Sequence, residues 1–413
     1  MSTQINASII TIGDELLIGQ TIDTNSAWIG QQLNALGIWL KRRVAVGDSK
    51  ADILQALDQE AAQSDLIIIT GGLGPTADDI TKPLLCNYFN GQLVENQKVK
   101  NHVLQIFRKR NRPIIDANIA QAMLPNVCDV LWNEMGTAPG MWFAKNNKIF
   151  IALPGVPFEM KHIMTHEALP KIKERFTTPN VMHKTICTAG IGESFLAASI
   201  QDFETSLPAN IKLAYLPQLG GVKLRLTGRD VAAATLENYF QTLITQLPHI
   251  VYATEDMPIE KAIGKLLLEK KLTVSFAESC TGGGISAAIT SITGSSGYCN
   301  GGIVSYTNDV KINLLGVPAE TLKQFSEVSA QTVTAMANGV RTKLKSTIGL
   351  SISGYLEVVK GKESEKGLIW IGIANEQTTK TISAIMPYDR ERNCELAIAT
   401  ALNNLRIFIS ENY

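Results

Sequence analysis

The sequence predicts an α/β protein of two three-layer α/β domains joined by a small α+β domain. Three observations predict it. Short β-branched runs alternate with amphipathic helical stretches in both the first and the last third of the chain, a pattern that builds parallel sheets covered by helices on both faces. The run Leu66-Ile67-Ile68-Ile69, bounded by Asp65 and Thr70-Gly71, is apolar throughout, as a strand buried on both faces requires. At 413 residues the chain also exceeds one ordinary core.

The elements follow in order. Ile9–Ile12 reads as a strand, Asn25–Leu36 as a helix, Ile38–Val46 as a strand and Asp52–Gln63 as a helix, with Ile149–Leu153 a later buried strand. Helical pattern fades after Phe176 at Thr177-Thr178-Pro179-Asn180, which closes a first domain over residues 1–176. Residues 181–255 read as an α+β unit with strands at Lys184–Ala189, Ile211–Leu216, Val222–Thr227 and Ile250–Ala253, and no cluster of catalytic residue types. The third domain spans 256–413, with a helix over Ile259–Lys270 leading to the strand Thr273–Ala277.

Composition excludes several classes. Lys plus Arg equal Asp plus Glu at 38 each, so the basic excess of a dedicated nucleic-acid binder is missing. The densest basic cluster, Arg108-Lys109-Arg110-Asn111-Arg112, closes a polar helical stretch and reads as a solvated face. The six cysteines are scattered without a CxxC pair, which argues against disulfides and zinc. No secretory signal or membrane-length apolar run is seen, so the expected compartment is the cytoplasm, with no membrane partner. A homodimer is compatible with all of this.

In a doubly covered sheet, ligands sit outside the carboxyl ends of the strands. The loops after the strands, Gly13–Thr24, Gly71–Asp79 and Pro154–Pro157, are therefore where chemistry is expected. Gly71, Gly72 and Gly74 would let the backbone approach phosphate oxygens. Asp78-Asp79, expected to open the next helix, would repel that phosphate unless a divalent cation lay between them, and Asp14-Glu15 adds oxygen ligands at the same edge. The plainer reading of Asp14 and Asp78 is helix capping. His162 and His166 sit four apart, but without the HExxH signature they read as a surface helix.

Glu278-Ser279-Cys280-Thr281-Gly282-Gly283 places Ser279 at a strand-to-helix turn, where its hydroxyl would face helix N-terminal amides. A small polar capping turn explains the same residues. The last histidine is His249, so a serine nucleophile here has no imidazole in its own domain, and a lysine of lowered pKa is the remaining common base. Lys311, shortly after the apolar run Gly302–Val304, is a candidate.

Several long motifs resemble the CinA (competence/damage-inducible protein) family over essentially the whole chain. They are Thr11–Leu17, Asp23-Thr24-Asn25-Ser26, Thr70–Asp79, Asn118 with Gln121-Ala122, Gly136–Gly140 and Ala152–Pro157, then Ala277–Gly283, Tyr306–Lys311 and Leu315-Gly316-Val317-Pro318. The resemblance implies a molybdopterin-binding-like first domain associated with metal-dependent hydrolysis of ADP-ribose to AMP and ribose 5-phosphate. It assigns Asp14, Glu15, Asp78 and Asp79 to a divalent ion (magnesium, manganese or cobalt) and its water. Gly71, Gly72, Gly74 and Thr76 fall to the phosphates, with Asn25 and Ser26 also touching the small-molecule nucleotide. For the last domain it implies nicotinamide mononucleotide deamidation, with Ser279 as nucleophile, Lys311 as base and Tyr306 in support.

Two departures stand out. After Ser351-Ile352-Ser353-Gly354, the family's Ile-Ala-Gly-Pro and glycine-rich loop are replaced by Tyr355–Val359 and the charged run Lys360–Lys366; Asp389-Arg390 is kept, but Cys394 stands where a later arginine is usual. Bulky side chains at Tyr355–Val359 are expected to crowd the phosphate and weaken or abolish the deamidase. The alternative from another class is a module that binds a phosphorylated pterin or nucleotide without cleaving it; a competence factor acting through protein partners is a third, which no residue motivates.

Overall fold

The computed structural model describes residues 4–76 and 79–413. The chain packs as two compact units, Met1–Met182 with Arg229–Val231, and His183–Gly228 with Ala232–Tyr413.

The first unit carries β1 (Asn6–Ile12), β2 (Trp39–Val46), β3 (Leu66–Thr70), β4 (Leu93–Glu95), β5 (Met123–Pro125), β6 (Asp129–Leu131), β7 (Gly140–Lys145) and β8 (Lys148–Leu153). Six of them form one sheet in the order β2-β1-β3-β8-β7-β6, and β4 pairs with β5 in a separate ribbon. β3 is buried along its whole length: Ile67 and Ile69 pack with Ile10, Ile53 and Leu57 on one face, and Leu66 and Ile68 with Ile29, Leu33 and Met160 on the other. That is why its sequence is apolar without alternation.

The expected parallel sheet holds for four strands, since β1 runs parallel to β2 and β3, and β3 to β8. β7 turns back antiparallel to β8, and β6 in turn runs antiparallel to β7. The cause is local. Asn146 and Asn147 join β7 to β8 with φ of 52° and 61°, the two left-handed residues of a tight hairpin turn that asparagine tolerates.

The second unit begins with β9 (Val181–Ala189), whose first two residues count with the first unit, and continues through β10 (Ile211–Gln218), β11 (Gly221–Arg229) and β12 (Val251–Ala253). These form a four-stranded sheet in the order β10-β11-β9-β12. Next come β13 (Val274–Glu278), β14 (Cys299–Val304), β15 (Ile348–Gly354), β16 (Leu368–Ala374) and β17 (Thr379–Ile385), in the order β14-β13-β15-β16-β17. Here too the sheet is mixed: β13 is parallel to β14 and β15, while β15, β16 and β17 are antiparallel.

The last helix, Arg390–Asn412, is capped by the Asp389 carboxylate and buries Ala397, Ala401, Leu405 and Phe408 against this sheet. From the same helix Arg406 Nη2 donates to His249 O at 2.7 Å, just before β12. Residues 183–228 and 232–255 thus pack with the C-terminal domain rather than standing alone. Among the described residues, no helix is long and apolar enough to cross a membrane.

A fragment of residues 1–176 should therefore give a cooperative thermal transition, whereas one ending at Met257 should expose β12 and its neighbours without Arg406 and the C-terminal helix. We expect the longer fragment to bind a hydrophobic dye or aggregate where the shorter one does not; equal behaviour would show that residues 181–257 fold alone.

Candidate active sites

In the first unit, the loop after β3 is shaped by its own contacts. Gly71 adopts φ 115°, and a Cβ there would lie 2.2 Å from Ile12 O, so only glycine fits beside β1. The Gly71 amide donates to Leu153 O at 3.1 Å. Asp79 Oδ1 accepts from Gly74 N at 2.8 Å, and its Oδ2 accepts from Thr76 N at 2.9 Å and from the Thr76 hydroxyl. The amides of Gly71, Gly74 and Thr76, expected to cradle phosphate, are thus engaged within the protein. Asp79 does not open a helix either, since the next one begins at Thr81. It clasps the loop.

The acidic residues expected at a metal divide similarly. Asp14 Oδ1 accepts from Asp48 N at 3.2 Å, and Asp14 N donates to Asp48 Oδ2 at 3.2 Å. Asp78 lies outside the described residues. Among the described residues, no three His, Cys, Asp or Glu side chains gather in a group that could hold a metal ion. Asp14, Glu15 and Asp79 therefore do not by themselves fit a metal centre. The His162 and His166 rings lie 4.5 Å apart on a continuous helical stretch, also outside any such group.

A cavity of about 120 Å³ opens at the carboxyl ends of β1 and β3, lined by Thr11, Glu15, Thr21, Asn25, Gly71 and Gly155 among others. Of the residues expected to touch ligand, it gathers Asn25 and Gly71 and leaves out Ser26, Gly72, Gly74 and Thr76. Asn25 Nδ2 donates to Gly155 O at 2.7 Å and Thr70 Oγ1 at 3.2 Å, which fixes the amide; its buried Oδ1 has no partner among the described residues. Asp23 caps the helix Thr24–Ala35, its Oδ1 accepting from the Ser26 amide at 2.9 Å. One residue was missed. Lys82 donates to Ala120 O at 3.0 Å, and burial lowers its pKa to about 8 against the opposing charge of Asp79.

In the second unit, Ser279 directly follows β13, its amide donating to Ile352 O at 3.0 Å. Lys311 is 1% exposed, and its Nζ lies 3.2 Å from Ser279 Oγ, 2.8 Å from Ser305 O and 3.4 Å from Tyr306 O. Burial pulls its pKa below the usual lysine value, with the carboxylate of Glu327 opposing. The lysine that the resemblance implies as base thus sits against the serine that it implies as nucleophile. Cys280 is no rival, because burial pushes its thiol up to about 12.

The amides starting the helix Gly284–Thr290 do not face Ser279, as the turn suggested. The fully buried Glu278 takes them: it accepts from Ile285 N at 2.9 Å, Ser286 N at 2.8 Å, Ser286 Oγ at 2.6 Å and Thr281 Oγ1 at 2.7 Å. The acid immediately before the nucleophile was the readable sign. Tyr306 supports Lys311 through its carbonyl, while its side chain is 60% exposed and its hydroxyl accepts from Arg390 Nη2 at 3.4 Å.

Within Tyr355–Val359 the bulky side chains divide, with Val358 and Val359 exposed. Tyr355 and Leu356 are buried: the Tyr355 hydroxyl donates to Glu327 Oε1 at 2.6 Å, and Leu356 joins the hydrophobic core. Glu357 instead reaches Arg390, Oε1 to Nη1 at 2.8 Å. Cys394 packs against the same core and brings no charge where an arginine is usual.

Removing the Asp79 clasp should cost stability even without any ligand. Asp79→Ala should lower the unfolding free energy in urea by about 0.5–1.5 kcal/mol, the usual net worth of a hydrogen bond whose partners can turn to water. Asp79→Asn, which keeps one acceptor oxygen, should lose less. No change in either variant would show that the carboxylate is free for another role.

Three family models match the chain: "Probable molybdopterin binding domain" over residues 8–174, "Damage-inducible protein CinA KH domain" over 183–253, and "CinA C-terminal domain" over 256–409. The chain is similar to the "CinA-like protein" of Flavobacterium psychrophilum, 44% identical over 99% of this chain and 100% of that one. The "CinA-like protein" of Cytophaga hutchinsonii is 43% identical, covering both chains fully. Among solved structures, the protein CinA of Thermoplasma acidophilum, described as of unknown function, is 33% identical at a TM-score of 0.38, covering 41% of this chain and 98% of that one.

Proposed function

The chain belongs to the CinA family, and from that premise we propose that its second unit is a serine–lysine amide hydrolase acting on the carboxamide of nicotinamide mononucleotide. The observation that carries the reading is the 3.2 Å approach of the buried Lys311 Nζ to Ser279 Oγ. Burial favours the neutral amine, which is the form able to take a proton. The Ser279 hydroxyl gives its proton to Nζ as Oγ attacks the carboxamide carbon, whose C=O becomes an oxyanion. Collapse breaks the C–N bond, and Lys311 returns the proton to the departing nitrogen, which leaves as ammonia. Water, deprotonated by the same Nζ, then cleaves the acyl-serine to the free acid and restores the serine.

Ammonia release should vanish in Ser279→Ala and fall roughly 10²–10⁴-fold in Lys311→Met, the range for losing a general base. Lysine is a base only when deprotonated. The rate should therefore climb with pH through the lowered lysine pKa and level off above it. A rate indifferent to pH, or retained in Ser279→Ala, would overturn the assignment.

We also propose that the first unit hydrolyses ADP-ribose to AMP and ribose 5-phosphate. What supports this is the cavity at the strand ends, whose Thr, Asn, Asp and Glu side chains suit sugar hydroxyls. None of its described lining residues is Lys or Arg, so the phosphates belong outside it, and Lys82 is a cation that feels the charge of the loop acid Asp79. The described acids make no metal centre by themselves; magnesium is commonly held by one or two carboxylates together with substrate phosphates. We infer a requirement for magnesium, manganese or cobalt on that ground, and cytoplasmic nucleotides as the substrates. Product analysis with ADP-ribose should show AMP only when divalent metal is present. Binding without AMP formation would favour a non-hydrolytic nucleotide module, and turnover in excess chelator would remove the metal from the reading.

A further inference from the structure

The surroundings of the serine–lysine pair carry a statement about charge. Tyr306 connects two places: its carbonyl accepts from Lys311 Nζ at 3.4 Å, and its hydroxyl accepts from Arg390 Nη2 at 3.4 Å. Arg390 therefore stands one tyrosine side chain from the reacting atoms, with about half of its side chain in solvent. It is placed to receive an anion arriving with the substrate, but its Nη1 is already held by Glu357 Oε1 at 2.8 Å.

Two other charges near the pair are themselves engaged. Glu327, which faces Lys311, is a carboxylate held by the Tyr355 hydroxyl. Lys362, over the Tyr355 ring, is bridged to Glu365 at 2.9 Å. Cys394, one helical turn beyond Arg390, is uncharged and packs on the core. A substrate phosphate would meet a guanidinium with Nη1 already taken and would sit beside the like charge of Glu357, which weakens its hold.

We propose that Glu357 is a specificity-determining residue that closes Arg390 to phosphate, so that the Ser279–Lys311 site takes an unphosphorylated pyridinium carboxamide in preference to its phosphate ester. This rests on the amide-hydrolase reading and narrows its substrate class. Displacing a solvent-exposed ion pair is a modest penalty, so the effect is a bias, not an exclusion. A neutral or cationic nucleoside meets no such competitor, and the carboxylates of Glu327 and Glu357 favour its positive ring.

The test compares nicotinamide mononucleotide with nicotinamide riboside on the full chain and on Glu357→Gln, which keeps a hydrogen-bonding oxygen for Arg390 and removes the charge. For the native protein, KM for the riboside should be no higher than for the mononucleotide. Glu357→Gln should shift the KM ratio by about fivefold toward the mononucleotide, the size expected for one exposed charge pair. An unchanged ratio, or a native protein that already strongly prefers the mononucleotide, overturns the proposal. Ser279-independent ammonia release would instead sink the amidase reading. For that case, calorimetric binding of both ligands to Ser279→Ala, with and without Glu357→Gln, measures the same bias without turnover. Failure of both ligands to bind, or an unshifted ratio, then overturns the proposal by itself.

Discussion

The second unit turns on a single buried carboxylate. Glu278 is fully buried at the end of β13, where an unpaired charge would be very unfavourable. It is stabilised by donors from the chain that follows it: the Thr281 and Ser286 hydroxyls and the amides of Ile285 and Ser286. Satisfying that carboxylate forces residues 279–284 into a tight turn, and Gly282 and Gly283 adopt positive φ to allow it. The backbone of the same residue extends the constraint to a second strand. Glu278 O accepts from Ser305 N at 2.7 Å, and Ser305 O in turn accepts from Lys311 Nζ at 2.8 Å. Ser279 and Lys311 are thereby positioned by two ends of one residue.

The same framework lowers the lysine's hold on its proton. Around Nζ stand two backbone carbonyls and a hydroxyl, with no carboxylate in contact. Carbonyl dipoles stabilise an ammonium only partly, whereas burial at 1% exposure works against it throughout. Glu327 acts from further off and holds the balance from tipping completely. Its own carboxylate is fixed by the Tyr355 hydroxyl, so the residue that replaces a glycine-rich loop in the sequence has become part of the electrostatic setting of the base.

Much of this was legible from residues alone, and what was not has specific causes. The buried strand β3 announces itself because both faces must be apolar; the absence of histidine from the last domain pointed to a lysine base, and the family resemblance singled out Lys311 for Ser279. The reversal of β7 was legible in Asn146-Asn147 and was overlooked, since attention to helix-strand alternation passes over a two-residue turn. Tyr355 and Leu356 misled for a different reason. In a loop, side-chain direction follows no period, so bulk could be read but not whether it pointed toward ligand or core. Asp79 likewise carries the same letter whether it caps a helix, binds an ion or clasps a loop. Only the positions of the Gly74 and Thr76 amides distinguish these.

Asp79 and Glu278 expose a shared logic in two unrelated loops. A glycine-rich turn attracts anions because its amides point outward without acceptors, and that is the basis for reading such turns as phosphate sites. Here each turn carries a carboxylate of its own that takes those amides, five residues after Gly74 in one unit and seven residues before Ile285 in the other. The loop gains rigidity, since a charge-assisted hydrogen bond holds more firmly than a neutral one. It also loses most of its anion-attracting character, because the intrinsic carboxylate already occupies the field that a phosphate would need. Recognition of a negative group must then come from cations beside the turn. The first unit has Lys82 there, its pKa lowered by burial to about 8, and the second has Arg390, matched by Glu357. In this protein the glycines shape the sites, and the neighbouring charges decide what the sites admit.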